Sequence, residues 1–514
     1  MLARRRVAHR WLRAGGLSAA LCACTQPDDS ALPTNTLDAG AIESSTPDTT
    51  TTDASEESKS DGSFDGPPDA AITYTGSHMW SKRFGEVGGT LSNAMMANDA
   101  SGNIVLGGTF RGTVSFGGNV LAAAGDGTAD AYIAKLDSLG AHVWSKHFPC
   151  SDTLVVGAGT MTSTGDVVLS GAFRGTVDFG GGPLTSLSSV NIFIARFGAN
   201  GVHQWSKAFD GPGSQQITQV IGLGGDIVAV GGNVTTNASV DFGGGALTSR
   251  SFIVRLNGTS GEHVWSHDPN SGFMDPRDLV ADPMGNIVLA GGLGGSVDWG
   301  NGAVVGAGAS DIVISKFSSN GSHLWTRRFG DEARQIATGI ATGASGEIFV
   351  TGAVGGTVDF GMGPKVVAMP TDTAQTTAFV AKLDANGNAA WSRIFPTNGP
   401  AVPAAATTIA VDASGSVVVS GTANCGLDFG TGNLPATNNT PNIFLARLDS
   451  MGTHVWSHGW ASGTAGQAIG DRVRIDSNGN VLLGAHFHDS TLDLGGGPLV
   501  ARSQNDLLIA KFAP

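Results

Sequence analysis

An all-β fold, a seven-bladed β-propeller of four-stranded antiparallel blades, is predicted by three features of the sequence. A Trp-Ser/Thr-Lys/Arg/His motif occurs seven times, at Trp80, Trp144, Trp205, Trp265, Trp325, Trp391 and Trp456. The same turn signals and short apolar runs recur in the same order between successive copies. The repeated region also begins and ends on partial units that complement each other.

The spacings between the Trp motifs are 64, 61, 60, 60, 66 and 65 residues. Helical repeats of about 33–34 residues do not fit these periods. Each unit has room for four strands. The first strand mixes polar and apolar residues. A turn such as Asp99-Ala-Ser-Gly-Asn103 or Asp476-Ser-Asn-Gly-Asn480 follows it. Asp and Asn close such turns through their side chains, and Gly supplies positive φ. The second strand is an apolar run such as Ile104-Val-Leu-Gly-Gly108. Next comes Asp-Phe-Gly or a close variant, seen at Asp178-Phe179-Gly180, Asp241-Phe242-Gly243 and Asp298-Trp299-Gly300. The third strand ends in a base, as in Tyr132-Ile-Ala-Lys135, and the fourth carries the Trp.

The ends predict how the ring closes. The body opens on a lone Trp strand, His78 to Phe84, and stops after Leu507-Leu-Ile-Ala-Lys511, where the next Trp strand is due. The N-terminal strand is therefore expected to complete the last blade, which removes an exposed sheet edge.

Composition agrees with tightly turned β structure. Gly is 77 of 514 residues, and charged residues are 14%, against about 25% in typical domains. The net charge is -14. A body of that sign repels phosphate backbones, so nucleic acid is not an expected partner.

The first 23 residues read as a lipoprotein signal peptide. Five arginines between Arg4 and Arg13 precede a short apolar run, Leu17 to Leu21. That run is too short to span a bilayer as a helix. It ends in Leu21-Cys22-Ala23-Cys24, which resembles the bacterial lipobox. The resemblance implies cleavage before Cys24, lipid on its sulfur, and a stable membrane anchor. Residues 24–72 are expected to be that lipidated Cys and a disordered acidic Ser/Thr/Pro tether. From residue 25 to residue 72 there are eleven acids and one base, Lys59. Such a stretch buries too little apolar surface to offset its ordering entropy. Residues 73–514 are the expected propeller, a monomer on the bacterial cell envelope. Its two cysteines, Cys150 and Cys425, fall in loops of distant blades and are expected to stay free thiols.

The Asp-x-x-Gly-Asn turn, the apolar strand ending in Gly, the Phe/Ile-Ala-Lys-Leu strand and the aromatic-Ser pair together resemble the bacterial β-propeller repeat called SBBP. The resemblance covers about 77–514. It implies a surface or periplasmic propeller and carries over no catalytic residue. Trp stands before Ser here, where the family often has Tyr. The Leu-Asp-x-x-Gly-x-x-x-Trp segments also resemble the Trp-docking motif of quinoprotein dehydrogenases. The calcium and quinone site of those enzymes has no matching residue set here, so the likeness bears on fold and implies no cofactor.

Several residues invite a chemical reading. His stands two residues before Trp at His78, His142, His203, His263, His323 and His454, and Ala389 takes that place in the remaining copy. One His per blade cannot converge on a metal ion, whose ligands lie about 2 Å away. These His are expected to be structural, on the same strand face as the Trp. Asp-Phe-Gly recurs in nearly every unit without the other parts of a kinase site. Gly222-Leu-Gly-Gly225 lacks the helix a dinucleotide loop needs. The sharpest departure from the repeat is His486-Phe-His488-Asp489 in the last unit. Two His on one strand face and an Asp could form a partial metal site; a solvated loop edge is the plainer expectation, and no metal is expected.

Two functions are weighed. The first is a non-enzymatic binding or scaffold module for a protein or glycan partner. Its ligand face would be formed by irregular loops such as Asp268–Arg277 and Gly459–Gly466. The second is a hydrolase or lyase at the central channel, for which Asp278, Asp471 and Arg472 are the nearest candidates. They show no paired spacing and no nucleophile motif, so no catalytic residue is expected.

Overall fold

Apolar runs of about seven residues, each closed by a Gly-containing turn, form strands throughout the body. The computed structural model describes residues 74–514 apart from 126, 236, 368–375, 398–403, 425, 436–440 and 463–465. The signal segment, Cys24, the acidic tether and Cys425 lie outside the described residues.

The first sheet shows the pattern. Thr90–Asn98, Ile104–Arg111, Asp130–Leu136 and His142–Phe148 pair in that order, each antiparallel to the next. The described residues contain seven such four-stranded sheets and several small two- or three-stranded ones. The last four-stranded sheet is composite. Gln467–Ile475, Val481–His488 and Asp506–Phe512 are joined by His78–Phe84 from the start of the body. Its register runs from Trp80 opposite Lys511 to Phe84 opposite Leu507. The first strand of each sheet touches the first strand of the next, and Gln467–Ile475 touches Thr90–Asn98.

The second and third strands are covered on both faces, so they read as continuous apolar runs with no alternation. Ile287–Leu293 and Asp311–Phe317 are buried at every position. Close packing explains the Gly in the second strand. A Cβ added at Gly108 would lie 1.9 Å from the Ser92 carbonyl oxygen, and one at Gly231 would lie 2.0 Å from that of Gln216.

Each sheet also carries an internal ion pair of one recurring kind. The base of the third strand meets the acid of the turn between the first two strands. The pairs are Lys135–Asp99, Arg196–Asp166, Arg255–Asp226, Lys316–Asp282, Lys382–Glu347, Arg447–Asp412 and Lys511–Asp476. Burial pushes the Asp476 carboxyl up, but hydrogen bonds from Lys511 and Asn480 hold it below the usual carboxylate range. Some of these bases reach further. Lys511 Nζ also donates to Ser138 O at 3.3 Å, and Lys316 Nζ to Ala385 O at 3.0 Å, each in the following sheet.

The Trp motif joins sheets in the same direction. Each indole packs on the Gly of a turn in the next sheet. The pairs are Trp80 on Gly140, Trp144 on Gly201, Trp205 on Gly261, Trp265 on Gly321, Trp325 on Gly387, Trp391 on Gly452 and Trp456 on Gly76. Trp205 Nε1 also donates to Gly258 O at 2.7 Å.

The structure corrects one expectation. The His and Trp of the fourth strand do not share a face. His142 lies opposite Leu136 and Trp144 opposite Lys135, so Val143 is a β-bulge. The extra residue turns His142 away from Trp144. The imidazole instead packs on the hairpin of its own sheet, where an added Cβ at Gly118 would lie 2.3 Å from its Cε1. The Asp-Phe-Gly segment forms that hairpin, and it sends an aromatic ring inward. Phe179 is 1% exposed and stacks on Phe193 with 4.8 Å between ring centroids.

Gly261 tests the Trp docking. Its φ is 68°, and an added Cβ would lie 2.8 Å from Trp205. Gly261→Ala is expected to lower stability by about 2–4 kcal/mol, from left-handed strain plus overpacking. Gly224→Ala, at φ 58° with nothing within 4 Å, carries the strain alone. Urea unfolding of both variants measures the difference, and equal losses would remove the docking contact from the account.

Candidate functional site

The first strand of every sheet has a β-bulge at the same place. The shifts in register fall at Ala94, Gly157, Thr218, Arg277, Thr338, Thr407 and Asp471. A bulge re-aims side chains and frees backbone groups. Here those groups meet the neighbouring sheet.

Asp278, one of the three residues considered for chemistry, sits just after a bulge. Its Oδ1 accepts from Gln219 Nε2 at 2.8 Å and from its neighbour Leu279 N at 2.9 Å. Its Oδ2 accepts from Ile340 N at 2.9 Å. The carboxylate thus ties three successive sheets. Burial pushes its pKa up, with the hydrogen bonds and the Arg474 charge opposing. Thr338 Oγ1 makes the next tie, to Ala406 O at 2.6 Å, and Thr407 Oγ1 makes the one after, to Gly470 O.

Asp471 and Arg472 serve the join between the last sheet and the first. Arg472 Nη2 donates to Ala94 O at 3.1 Å. His486, on the adjacent strand, accepts from Asn93 N at 3.0 Å through Nε2. Its Nδ1 meets the Asp471 carboxylate. The two contacts assign the tautomer: Nε2 is an acceptor, so Nδ1 carries the proton that Asp471 receives. Asp471, His486 and Arg472 therefore clamp the Asn93–Ala94 backbone from two sides. Asn93 is itself buried, and neither its Oδ1 nor its Nδ2 has a partner among the described residues.

The structure separates the remaining candidates. His488 Nδ1 meets Asp489 Oδ2 at 3.1 Å on the exposed edge, while His486 is held inside. Among the described residues, no group of three His, Cys, Asp or Glu side chains is placed to hold a metal ion. Asp278 stands on the first strand of the fourth sheet, whereas Asp471 and Arg472 stand on that of the last. Cys150 is a free, buried thiol that burial pushes up.

A charged residue that the sequence reading passed over is Arg474. It faces the same interior as Arg472, and burial together with the Arg472 charge lowers its pKa. The other sheets have Ala97, Thr160, Ile221, Val280, Ala341 and Ala410 at that register. The signal was available as an arginine that breaks the repeat. The ties made by bulge residues carry no such signal, because one extra residue per strand is invisible in an apolar pattern.

The rim histidines are bonded in a common way. His142 and His203 Nε2 lie 3.1 Å from Ser145 and Ser206 Oγ, and His263 and His454 Nε2 lie 3.0 Å from Ser266 and Ser457 Oγ. Burial lowers the pKa of His203, His323, His454 and His458.

No protein-family model matches the chain. Part of it is similar to an uncharacterized WD repeat-containing protein, L264, of Acanthamoeba polyphaga mimivirus, at 28% identity over 158 residues. That match spans 28% of this chain and only 11% of the viral protein. Among solved structures, BamB from Moraxella catarrhalis is similar at 12% identity and a TM-score of 0.36, over 84% of this chain and 99% of that one. A quinohemoprotein alcohol dehydrogenase from Comamonas testosteroni is similar at 12% identity and a TM-score of 0.38, over 84% and 76% of the two chains. Overlaps this loose carry no argument about chemistry, partner or location.

Two outcomes test the site. His486→Ala leaves the Asn93 N–H and the Asp471 carboxylate without their partner, and is expected to cost about 1–3 kcal/mol in urea unfolding. His488→Ala, at the exposed edge, is expected to stay within about 0.5 kcal/mol of the parent. Equal effects would refute the clamp. The rim histidines set a pH dependence. The folded pKa values of His203, His323 and His454 lie below the ordinary histidine value of about 6.5, so below that pH the unfolded chain binds more protons. Their contribution is fully present above about pH 6.5 and is lost as pH falls through the folded values. Thermal midpoints at constant ionic strength should therefore fall between about pH 7 and pH 5, and a flat profile would contradict the assignment.

Proposed function

We propose that this chain is an envelope-anchored lipoprotein whose seven sheets are the blades of one closed propeller of the SBBP type. In this reading it is a non-enzymatic, monomeric binding or scaffold module for a protein or glycan partner. Lipid on Cys24 holds it to the bacterial membrane, and the acidic segment 24–72 spaces it from the surface.

One observation carries the binding reading: the two ends of the sheets differ. Turns between first and second strands and between third and fourth strands lie at one end. They repeat the same pair of backbone bonds, as in Asp99 N to Asn103 O with Gly102 N to Asp99 O, and again at Asp137, Asp282, Asp384, Asp449 and Asp476. The loops entering each first strand lie at the other end and share no such pattern among the described residues. In one of them Ser271–Gly272 pairs with Ser296–Asp298, and Arg250 lies over the Phe273 ring at 4.4 Å. Conformations that vary between equivalent loops give each blade a different surface, which is what a specific partner would read.

The non-enzymatic reading is supported by how the polar interior is used. Asp278, Asp471, Arg472 and His486 are each engaged in ties between sheets. Ring closure is supported by the pairing of His78–Phe84 with Asp506–Phe512 and by Trp456 resting on Gly76. Among the described residues, no helix is long and apolar enough to cross a membrane.

The experiment is capture of envelope proteins and glycans by the full chain. Substitutions at the loop end, Asn270→Arg and Ser271→Arg, are compared with Ser101→Arg and Ser414→Arg at the turn end. Loss of capture confined to the loop-end variants is the expected result, and equal loss from both ends would reject the face. Cys24→Ser should release the chain from the membrane fraction; a variant that stays membrane-bound would reject the anchor.

A further inference from the structure

The polar ties between sheets leave Arg474 unused. Its hydrogen bonding among the described residues is limited to Nη1 and Val473 O, 2.8 Å away on its own strand. It makes no ion pair among the described residues. A guanidinium is a planar fork of N–H donors that stays protonated in proteins. Most of that fork is therefore free.

Arg472 and Arg474 follow the bulge at Asp471 and stand two residues apart, so they project from one face of Gln467–Ile475. That face turns to the interior bounded by the first strands, which touch in succession from sheet to sheet. Asp278 belongs to the fourth sheet and Arg474 to the last, and these two do not adjoin in that succession. The Asp278 charge nonetheless acts on Arg474, so the two meet across the interior. Arg474 keeps partial solvent access, while burial and the Arg472 charge both lower its pKa. It lines a recess that solvent reaches and is not sealed in a core.

No acid stands at the level of Arg474. The other sheets have Ala97, Thr160, Ile221, Val280, Ala341 and Ala410 there, mostly small residues that leave space around the fork. The nearby carboxylates are engaged elsewhere. Asp278 accepts from Gln219 Nε2, Leu279 N and Ile340 N, and Asp471 turns to His486. Arg472 has no carboxylate partner either; its Nη1 and Nη2 reach Asp471 O and Ala94 O, each at 3.1 Å. Two positive charges thus stand side by side without a counter-charge in contact, in a chain whose net charge is -14. An uncompensated charge held away from bulk water is strongly unfavourable, and a bound anion removes that cost.

We propose that Arg474, with Arg472 beside it, forms a binding site for a small oxyanion in the interior bounded by the first strands. Carboxylate and phosphate share the chemistry: two oxygens accept parallel N–H bonds from the guanidinium fork. The oxyanion can be inorganic phosphate or the carboxylate of an organic molecule. The site lies apart from the loop-end surface and depends on neither the lipid anchor nor the partner proposed above.

The test uses the full chain at pH 7 and constant ionic strength. Calorimetric titration and thermal unfolding are run with inorganic phosphate and with acetate, against chloride. The wild type is expected to bind saturably and to melt higher as the anion binds. Phosphate also stabilises proteins by exclusion from their surface; that effect is common to all variants, so the difference between variants is what is read. Arg474→Gln removes the fork and its unpaired charge, and should melt at or above the parent without anion and lose binding about tenfold or more. Arg474→Lys keeps the charge without the fork, and should bind more weakly than the parent. Arg111→Gln, at an exposed arginine, should bind as the parent does. Binding of phosphate alone points to a phosphate group, and binding of acetate points to a carboxylate. The absence of saturable binding of either probe in the wild type, or equal binding in Arg474→Gln, would overturn the proposal.

Discussion

The fold depends on one contact made again and again: an indole of one sheet laid on a glycine of the next. A four-stranded sheet of this size cannot bury both faces alone. Its second and third strands are covered on both sides only because neighbours stand against them. The indole sets how closely they stand. Gly201, Gly261 and Gly452 leave no room for a Cβ beside Trp144, Trp205 and Trp391, so the approach is fixed by the absence of a side chain. The base-to-acid pair inside each sheet works with it. Lys316 is held by Asp282 and still reaches Ala385 O, so one ammonium satisfies a turn in its own sheet and a carbonyl in the next. Paired and bonded in this way, a charge with little exposure avoids the penalty an isolated one would carry.

The last sheet needs more than this contact. Its outermost strand comes from the other end of the chain, so chain connectivity does not hold its partners together before folding. That is where the polar ties are densest. Arg472 and His486 both hold the Asn93–Ala94 backbone, and Asp471 orients the His486 ring. The join between the first and second sheets relies on packing instead, with Met95 set against Gly107 and Gly159. Polar ties join successive sheets elsewhere too, through Asp278, Thr338 and Thr407; at the chain ends they add to the pairing of the two terminal strands.

Most of the architecture was legible in the sequence because each repeated residue type has a local reason. Asp99 and Asp476 close turns, Gly102 and Gly479 take positive φ, and the apolar runs between them have strand length. Orientation was less legible. The bulge at Val143 turns His142 away from the Trp144 face, and nothing in His-Val-Trp marks it, since an inserted residue and a regular one look alike. The bulges at Thr338, Thr407 and Asp471 were hidden for the same reason. Asp278, Asp471 and Arg472 stood out only as the nearest candidates for chemistry at a central channel. Their partners did not, because those are backbone groups of other sheets, and a backbone N–H has no signature in a sequence.

A repeat also gives each irregularity a reference. A lone alanine on a strand says nothing by itself, and Ala389 acquires meaning only against histidines whose surroundings are known atom by atom. Ser392 keeps the hydroxyl that bonds the ring in other sheets, and Trp391 and Arg393 keep bonds to Ser450 and Gly452 of the next sheet. Met362 stands where the second sheet has Gly181, so strand and hairpin depart from the repeat together while the contacts to the next sheet are kept.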